Sequence, residues 1–133
     1  IQEDVALVSL PMRSRDENAL MVNSLQRSSS IVVQNSVREG FGLTVTEAMW
    51  KQCSVLGSRA CGIRQQIRDG VDGRLIPDSE NPTEIADLLD TLLDDLAGRA
   101  RHGHSAQRRS HSEFLVFTQV RRWLETLVDV VQR

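Results

Sequence analysis

Short apolar, β-branched runs alternate along the chain with stretches whose apolar residues recur every three or four positions, the pattern of strands and helices taken in turn. DVALVSLP, residues 4–11, reads as a strand stopped by Pro11, and residues 17–27 as a helix with Leu20, Met21 and Leu25 facing inward. SIVVQNS follows, with a strand expected over 30–34 and both of its faces buried. Residues 43–53 favour helix, 54–58 strand and 63–68 a short helix. Asp69-Gly70 and Asp72-Gly73 mark tight turns before a strand at 74–76. Asn81-Pro82-Thr83-Glu84 opens a helix with Asn as cap, Pro at the first position and an acid in the first turn, running to about Asp95. The remainder is helical: 97–112, rich in Arg and read as a solvated face, then 118–131 with Val120, Trp123, Leu124, Leu127, Val128 and Val131 on one stripe, read as core packing. Alternating strands and helices predict an α/β fold, a Rossmann-like parallel sheet with helices on both faces. The 133 residues form one domain, with a helical tail from about residue 82.

The loop at 37–42 changes the picture most. Gly40 and Gly42 permit tight or left-handed backbone and close approach of a ligand, and the loop leaves the carboxyl end of a strand to enter a helix. First-turn N–H groups then face outward with the helix dipole behind them, a setting that suits a diphosphate. Glu39 and Glu47 stand eight positions apart around this turn, and both carboxylates are expected to face one crevice. Carboxylates accept hydrogen bonds from hydroxyls and repel phosphates, so they suit sugar and ribose with the diphosphate held between them. Plainer readings stand beside this one. Glu47 is equally the partner of Thr44 in a T-x-x-E capping box, Glu39 is equally a solvated loop acid, and a Gly-x-Gly turn before a helix is common.

REGFGLTVTEAMW, residues 38–50, resembles the E-x7-E signature of the retaining GT-B glycosyltransferases of family 4, and LTVTEAMWK resembles the trehalose synthase-like members of that family, which join an NDP-glucose to glucose. NALMVNSLQRSSSIVVQNS upstream and GIRQQIRDGVDGRLIPD downstream extend the likeness over roughly residues 5–80. The resemblance implies the later part of a GT-B C-terminal, nucleotide-sugar-binding domain, with the preceding strands and an acceptor-binding domain elsewhere. It assigns Glu39, the candidate catalytic residue, to hydroxyls of the transferred hexose. Gly40, Phe41 and Gly42 become the lining beside it, the amides of Leu43 and Thr44 hold the distal phosphate, and Glu47 holds the ribose. The donor is expected to be UDP-glucose or ADP-glucose, with no metal and no further cofactor, and this stretch alone should not catalyse. Arg38 precedes the signature without an assigned role. Two departures stand out: Gln52 where relatives carry a helix-ending Gly, which should cost stability, and Cys61 for the first Gly of a Gly-Gly-Ile. The alternatives are a nucleotide-sugar-binding module without catalysis and a self-associating α/β interaction domain.

Sixteen basic and 18 acidic side chains give a net charge of −2, far from the strongly basic surface of a nucleic-acid binder. No apolar run approaches the ~20 residues of a membrane span, and IQEDVALVSL lacks a basic leader region, so the chain is expected in the cytoplasm. Cys53 and Cys61 read as buried free thiols. His102, His104 and His111 read as surface residues, the first two pointing ~200° apart on a helix. With its neighbouring strands elsewhere, strand 4–11 would be an open edge, and with the Trp123 stripe it predicts a homo-oligomer.

Overall fold

A computed structural model describes residues 4–9, 11 and 14–132. The elements are α1 (Arg15–Ser28), β1 (Ile31–Gln34), α2 (Leu43–Trp50), β2 (Ser54–Ser58), α3 (Cys61–Gln66), β3 (Arg74–Ile76), α4 (Pro82–Asp94), α5 (Leu96–Arg109), a π-helical turn (Ser110–Phe114) and α6 (Val116–Val131). The strands pair in parallel in the order β1-β2-β3, with Val32 opposite Val55 and Gly57 opposite Leu75.

Strand side chains alternate between faces, so each strand feeds two layers. On one face Val55 and Leu75 pack with Val45, Ala48 and Met49 of α2, Ile63 of α3 and Ala106 of α5. On the other, Leu56 and Ile76 meet Leu92 of α4, with Ile31, Ile85, Leu88 and Leu89 around them. Helices therefore cover both faces, as the alternation of elements predicts. Gly57 has no side chain because α3 presses on it, and a Cβ there would lie 2.6 Å from Ile63 Cγ2. Asn81 caps α4 by accepting from the amides of Thr83 and Glu84.

Several expectations fail where they depended on a neighbour. Residues 4–9 form no strand, and Val5, Leu7 and Val8 are exposed; Leu10 lies outside the described residues. A strand is held by ladder bonds and by burial of its apolar side chains, and among the described residues this segment forms no ladder and buries no apolar side chain. β1 is only half-buried rather than covered on both faces, because it is the sheet edge. In α1, Leu20 and Leu25 are exposed and Met21 is half-buried; the buried residue is Gln26, whose Oε1 accepts from Lys51 Nζ and whose carbonyl accepts from Cys53 Sγ. The α6 stripe is not core: Trp123 is 68% exposed and no residue of the helix is buried. α5 is not simply a solvated face, since Gly98, Gly103 and Ala106 are buried.

Gln52 ends α2 in left-handed backbone, φ 62°, a conformation that glycine adopts without penalty. A residue with Cβ pays ~1–2 kcal/mol there. The same residue seats α5: Gly103 packs so close that a Cβ on it would lie 2.1 Å from the Gln52 carbonyl oxygen.

Of the cysteines, Cys53 is buried and Cys61 is exposed, the latter because it opens α3 at the surface. Burial pushes the Cys53 thiol up, with Lys51 and Arg27 opposing. His102 is half-buried rather than a surface residue, and desolvation lowers its pKa against the pull of the Gly70 backbone. Among the described residues no helix is long and apolar enough to cross a membrane.

Candidate functional site

The loop from β1 to α2 is pinned from several sides. Ser58, at the carboxyl end of β2, donates to the Ser36 carbonyl at 2.6 Å, and Asn35 Nδ2 donates to the Ser79 carbonyl at 2.9 Å. The Gly62 amide donates to the Glu39 carbonyl at 3.0 Å, fastening the loop to α3. Phe41 lies edge-on to Phe114, ring centres 6.0 Å apart. Sequence reasoning did not mark Gly62 as a site residue. A Cβ on it would stand 2.4 Å from the Gly40 carbonyl oxygen, so its lack of a side chain lets the loop lie where it does.

α2 begins without a side-chain cap. Gly42 occupies the N-cap in left-handed backbone, φ 81°, and its carbonyl accepts from Val45 N and Thr46 N. Space is as tight as geometry there, since a Cβ would meet Gln66 Oε1 at 3.2 Å and Ile63 Cγ1 at 3.3 Å. The Thr44–Glu47 capping box does not form. Gly42 holds the cap position, Thr44 falls inside the helix, and it is Thr46 Oγ1 that donates to the Leu43 carbonyl. Glu47 is thus free of capping duty, and the amides of Leu43 and Thr44 make no hydrogen bond among the described residues. Both residues are exposed, so these amides open toward solvent at the positive end of the helix.

The two acids line different cavities. Glu39 and Gly40 line one of about 570 Å³ with Arg38, Arg59, Cys61 and Arg64. Glu47 lines another of about 690 Å³ between α1 and α2, with Arg15, Arg27, Trp50, Lys51 and Phe114. Their separation follows from the helix: Glu47 is a full turn into α2, on the side facing α1, whereas Glu39 stays in the loop that α3 fastens. One carboxylate oxygen of Glu39 accepts from the Phe41 amide at 3.4 Å. Trp50 stacks on His111, ring centres 5.6 Å apart, beside the Glu47 cavity.

Arg59, Arg64 and Gln66 were missed from the sequence. The rule that α/β folds bind ligands at the carboxyl ends of strands points to Arg59, one residue beyond β2. Gln66 carried no such signal; it is 1% exposed, and neither side-chain amide atom has a hydrogen-bond partner among the described residues. Among the described residues no three His, Cys, Asp or Glu side chains converge as metal ligands do.

A parallel sheet covered on both faces, with a glycine loop running from a strand end into an open helix N-terminus, defines an α/β ligand-binding domain, and comparison with known proteins makes the class specific. Residues 15–109 match the family described as Glycosyl transferases group 1. Trehalose synthase from Thermococcus litoralis is 39% identical over 110 residues, 83% of this chain and 26% of that protein. Anabaena HepE superposes with a TM-score of 0.73 and 27% identity, both in complex with UDP, where 79% of this chain and 29% of that one are covered, and in complex with UDP-glucose, where 81% and 30% are. The C-terminal domain of a glycosyl transferase group 1 family protein from Francisella tularensis superposes at 0.69 with 28% identity, covering 82% of this chain and 53% of that one.

The chain belongs to the glycosyl transferases group 1 family. Its fold is that of the later part of a GT-B C-terminal domain, and it spans about a quarter of the trehalose synthase that it matches.

Proposed function

We propose that this chain is the donor-binding portion of a retaining, family 4 glycosyltransferase resembling trehalose synthase, and that it takes a nucleotide-sugar such as UDP-glucose or ADP-glucose. The observation that carries this reading is the pair of unbonded amides at Leu43 and Thr44, exposed at the α2 N-terminus between Glu39 and Glu47. An anion there gains both hydrogen bonds and the helix dipole. Placement of the acids in separate cavities suits an extended ligand, with hexose hydroxyls on Glu39, diphosphate on the amides and ribose hydroxyls on Glu47. The similarity to HepE, whose structures hold UDP and UDP-glucose, supports the same ligand class. Group transfer also needs the acceptor held within ~3–3.5 Å of the reacting carbon, and in the GT-B arrangement a second domain holds it. This stretch alone therefore binds donor without turnover.

The test is a titration with UDP and UDP-glucose followed by amide NMR. Shifts are expected at residues 40–47. Glu47→Gln should weaken UDP by about tenfold or more, and Glu39→Ala should weaken UDP-glucose while sparing UDP, since a hydrogen bond to a charged group contributes ~1.5–3 kcal/mol. Absence of shifts at 40–47 at millimolar ligand, or equal loss of UDP affinity in the two variants, would overturn the reading.

A second reading, self-association, draws on the α6 stripe, where Phe117, Val120, Trp123, Leu124, Leu127 and Val131 are all exposed. Apolar surface of this kind lowers its free energy by pairing with another copy. Sedimentation should show a dimer that Trp123→Glu with Leu127→Glu converts to monomer; a monomer at high concentration in the unmodified chain counts against it.

A further inference from the structure

Buried polar side chains that serve the fold are bonded in this chain: Gln26 accepts from Lys51 Nζ, Ser58 donates to the Ser36 carbonyl, and Asp72 accepts from Arg68 and Ser105. Gln66 is different. It is the last residue of α3 and 1% exposed, and neither Oε1 nor Nε2 has a hydrogen-bond partner among the described residues. A carboxamide buried without a partner costs stability, and an apolar side chain of similar size would avoid that cost. Such a violation of good packing chemistry is a mark of function. Its place shows which function. Oε1 lies 3.2 Å from where a Cβ on Gly42 would stand, so the carboxamide is aimed at the N-cap of α2.

Gly42 is left-handed and Leu43 begins right-handed helix, and such a pair turns successive amides to one side, a concavity that suits an anion. The amides of Gly42, Leu43 and Thr44 all lack a hydrogen bond among the described residues. Gln66 lies against the first of the three, closed off from water. Because neither end of its carboxamide is bonded, a half-turn about the last side-chain bond exchanges Oε1 and Nε2 without breaking a hydrogen bond. A negative charge held by the three amides favours the orientation that brings the side-chain N–H groups toward Gly42. A dipole shielded from water acts on that charge with little screening. We infer that Gln66 is an electrostatic partner of the donor's diphosphate, acting across Gly42 without touching the ligand; this role rests on the donor reading above. Gly42 then contributes twice, by its left-handed turn and by lacking a side chain that would hold the carboxamide away.

The probes are UDP, inorganic pyrophosphate and uridine, each titrated into this chain and followed by NMR of backbone and side-chain amides. UDP and pyrophosphate should shift the Gln66 side-chain N–H pair together with residues 42–44, and uridine should leave that pair unmoved. Gln66→Met should unfold in urea no earlier than the unmodified chain, because the unpaired amide is gone. The same variant should bind UDP and pyrophosphate about fivefold more weakly, the scale of one net hydrogen bond, and uridine as before. Unchanged UDP affinity in the variant would overturn the proposal, as would equal weakening of UDP and uridine. A Gln66 pair that stays in place while 42–44 shift would also sink it, and this is read in the unmodified chain whether or not the variant folds. If UDP leaves 40–47 unshifted while pyrophosphate moves the Gln66 pair with 42–44, the donor reading fails and the anion-binding role of Gln66 stands; if neither ligand moves 42–44, both fall.

Discussion

Asp72→Ala should lower the stability of the domain by about 3 kcal/mol, the scale for removing one partner of a buried charge network. The Asp72 carboxylate is fully buried on the turn between α3 and β3. It accepts from Arg68 Nε at 2.6 Å and Nη2 at 2.7 Å, from the Arg68 amide at 3.3 Å and from Ser105 Oγ at 2.8 Å. Arg109 Nε approaches to 3.8 Å, with its side chain only 15% exposed. One carboxylate thus ties the α3–β3 turn to α5, and its loss leaves Arg109 partly buried with Glu113 as its remaining acid at 3.5 Å. Burial by itself would raise the Asp72 carboxyl, but the bonds from Arg68 and Ser105 outweigh it and hold the group below the ordinary carboxylate range. Its folded pKa being depressed, its contribution is fully present above the unfolded value of ~3.9 and is lost as the pH falls through the folded value. Urea unfolding at pH 7 should show a large gap between the unmodified chain and the variant, narrowing as the pH drops below 4. Coincident urea midpoints at pH 7 would show that the network contributes nothing.

Gly62→Ala should cost about 1–3 kcal/mol and remove nucleotide binding at residues 40–47. The added Cβ would stand 2.4 Å from the Gly40 carbonyl oxygen and 2.7 Å from Phe41 Cα. Both are backbone atoms, so no side-chain rotation relieves the contact, and the Gly62 amide bond to the Glu39 carbonyl must lengthen as the loop moves. Gly40→Ala is the control for stability: no heavy atom lies within 4 Å of its Cβ position, and its effect should stay within ~0.5 kcal/mol. Thermal unfolding of both variants with a UDP titration of Gly62→Ala decides the matter. A Gly62→Ala protein as stable as the unmodified chain, with UDP shifts intact, would show that the loop does not depend on this contact.

What could be read in advance was what short-range chemistry dictates. β2 and β3 begin and end at the residues expected, and α4 starts at the Asn81-Pro82 cap, because each boundary is written in a few consecutive residues. The glycine loop and the acids around it were legible for the same reason. Thr44 shows the limit of such local signals. Its T-x-x-E spacing is that of a capping box, yet Gly42 takes the cap, because the loop reaches α2 against Ile63 and Gln66, residues some twenty positions away in the chain.

From residue 15 onward, sequence alone therefore determined the order of strands and helices, the α/β class and the loop that marks the family, since these depend on side-chain period, turn residues and caps. Tertiary structure decided which apolar faces find a partner, leaving α6 and residues 4–9 exposed. It also turned a predicted Asp-Gly turn into a buried anchor and set Glu39 and Glu47 in different cavities. It gathered Arg38, Arg59 and Arg64 at one opening. Burial and charge clustering are properties of residues distant in the chain brought together by the sheet, and no run of neighbours encodes them.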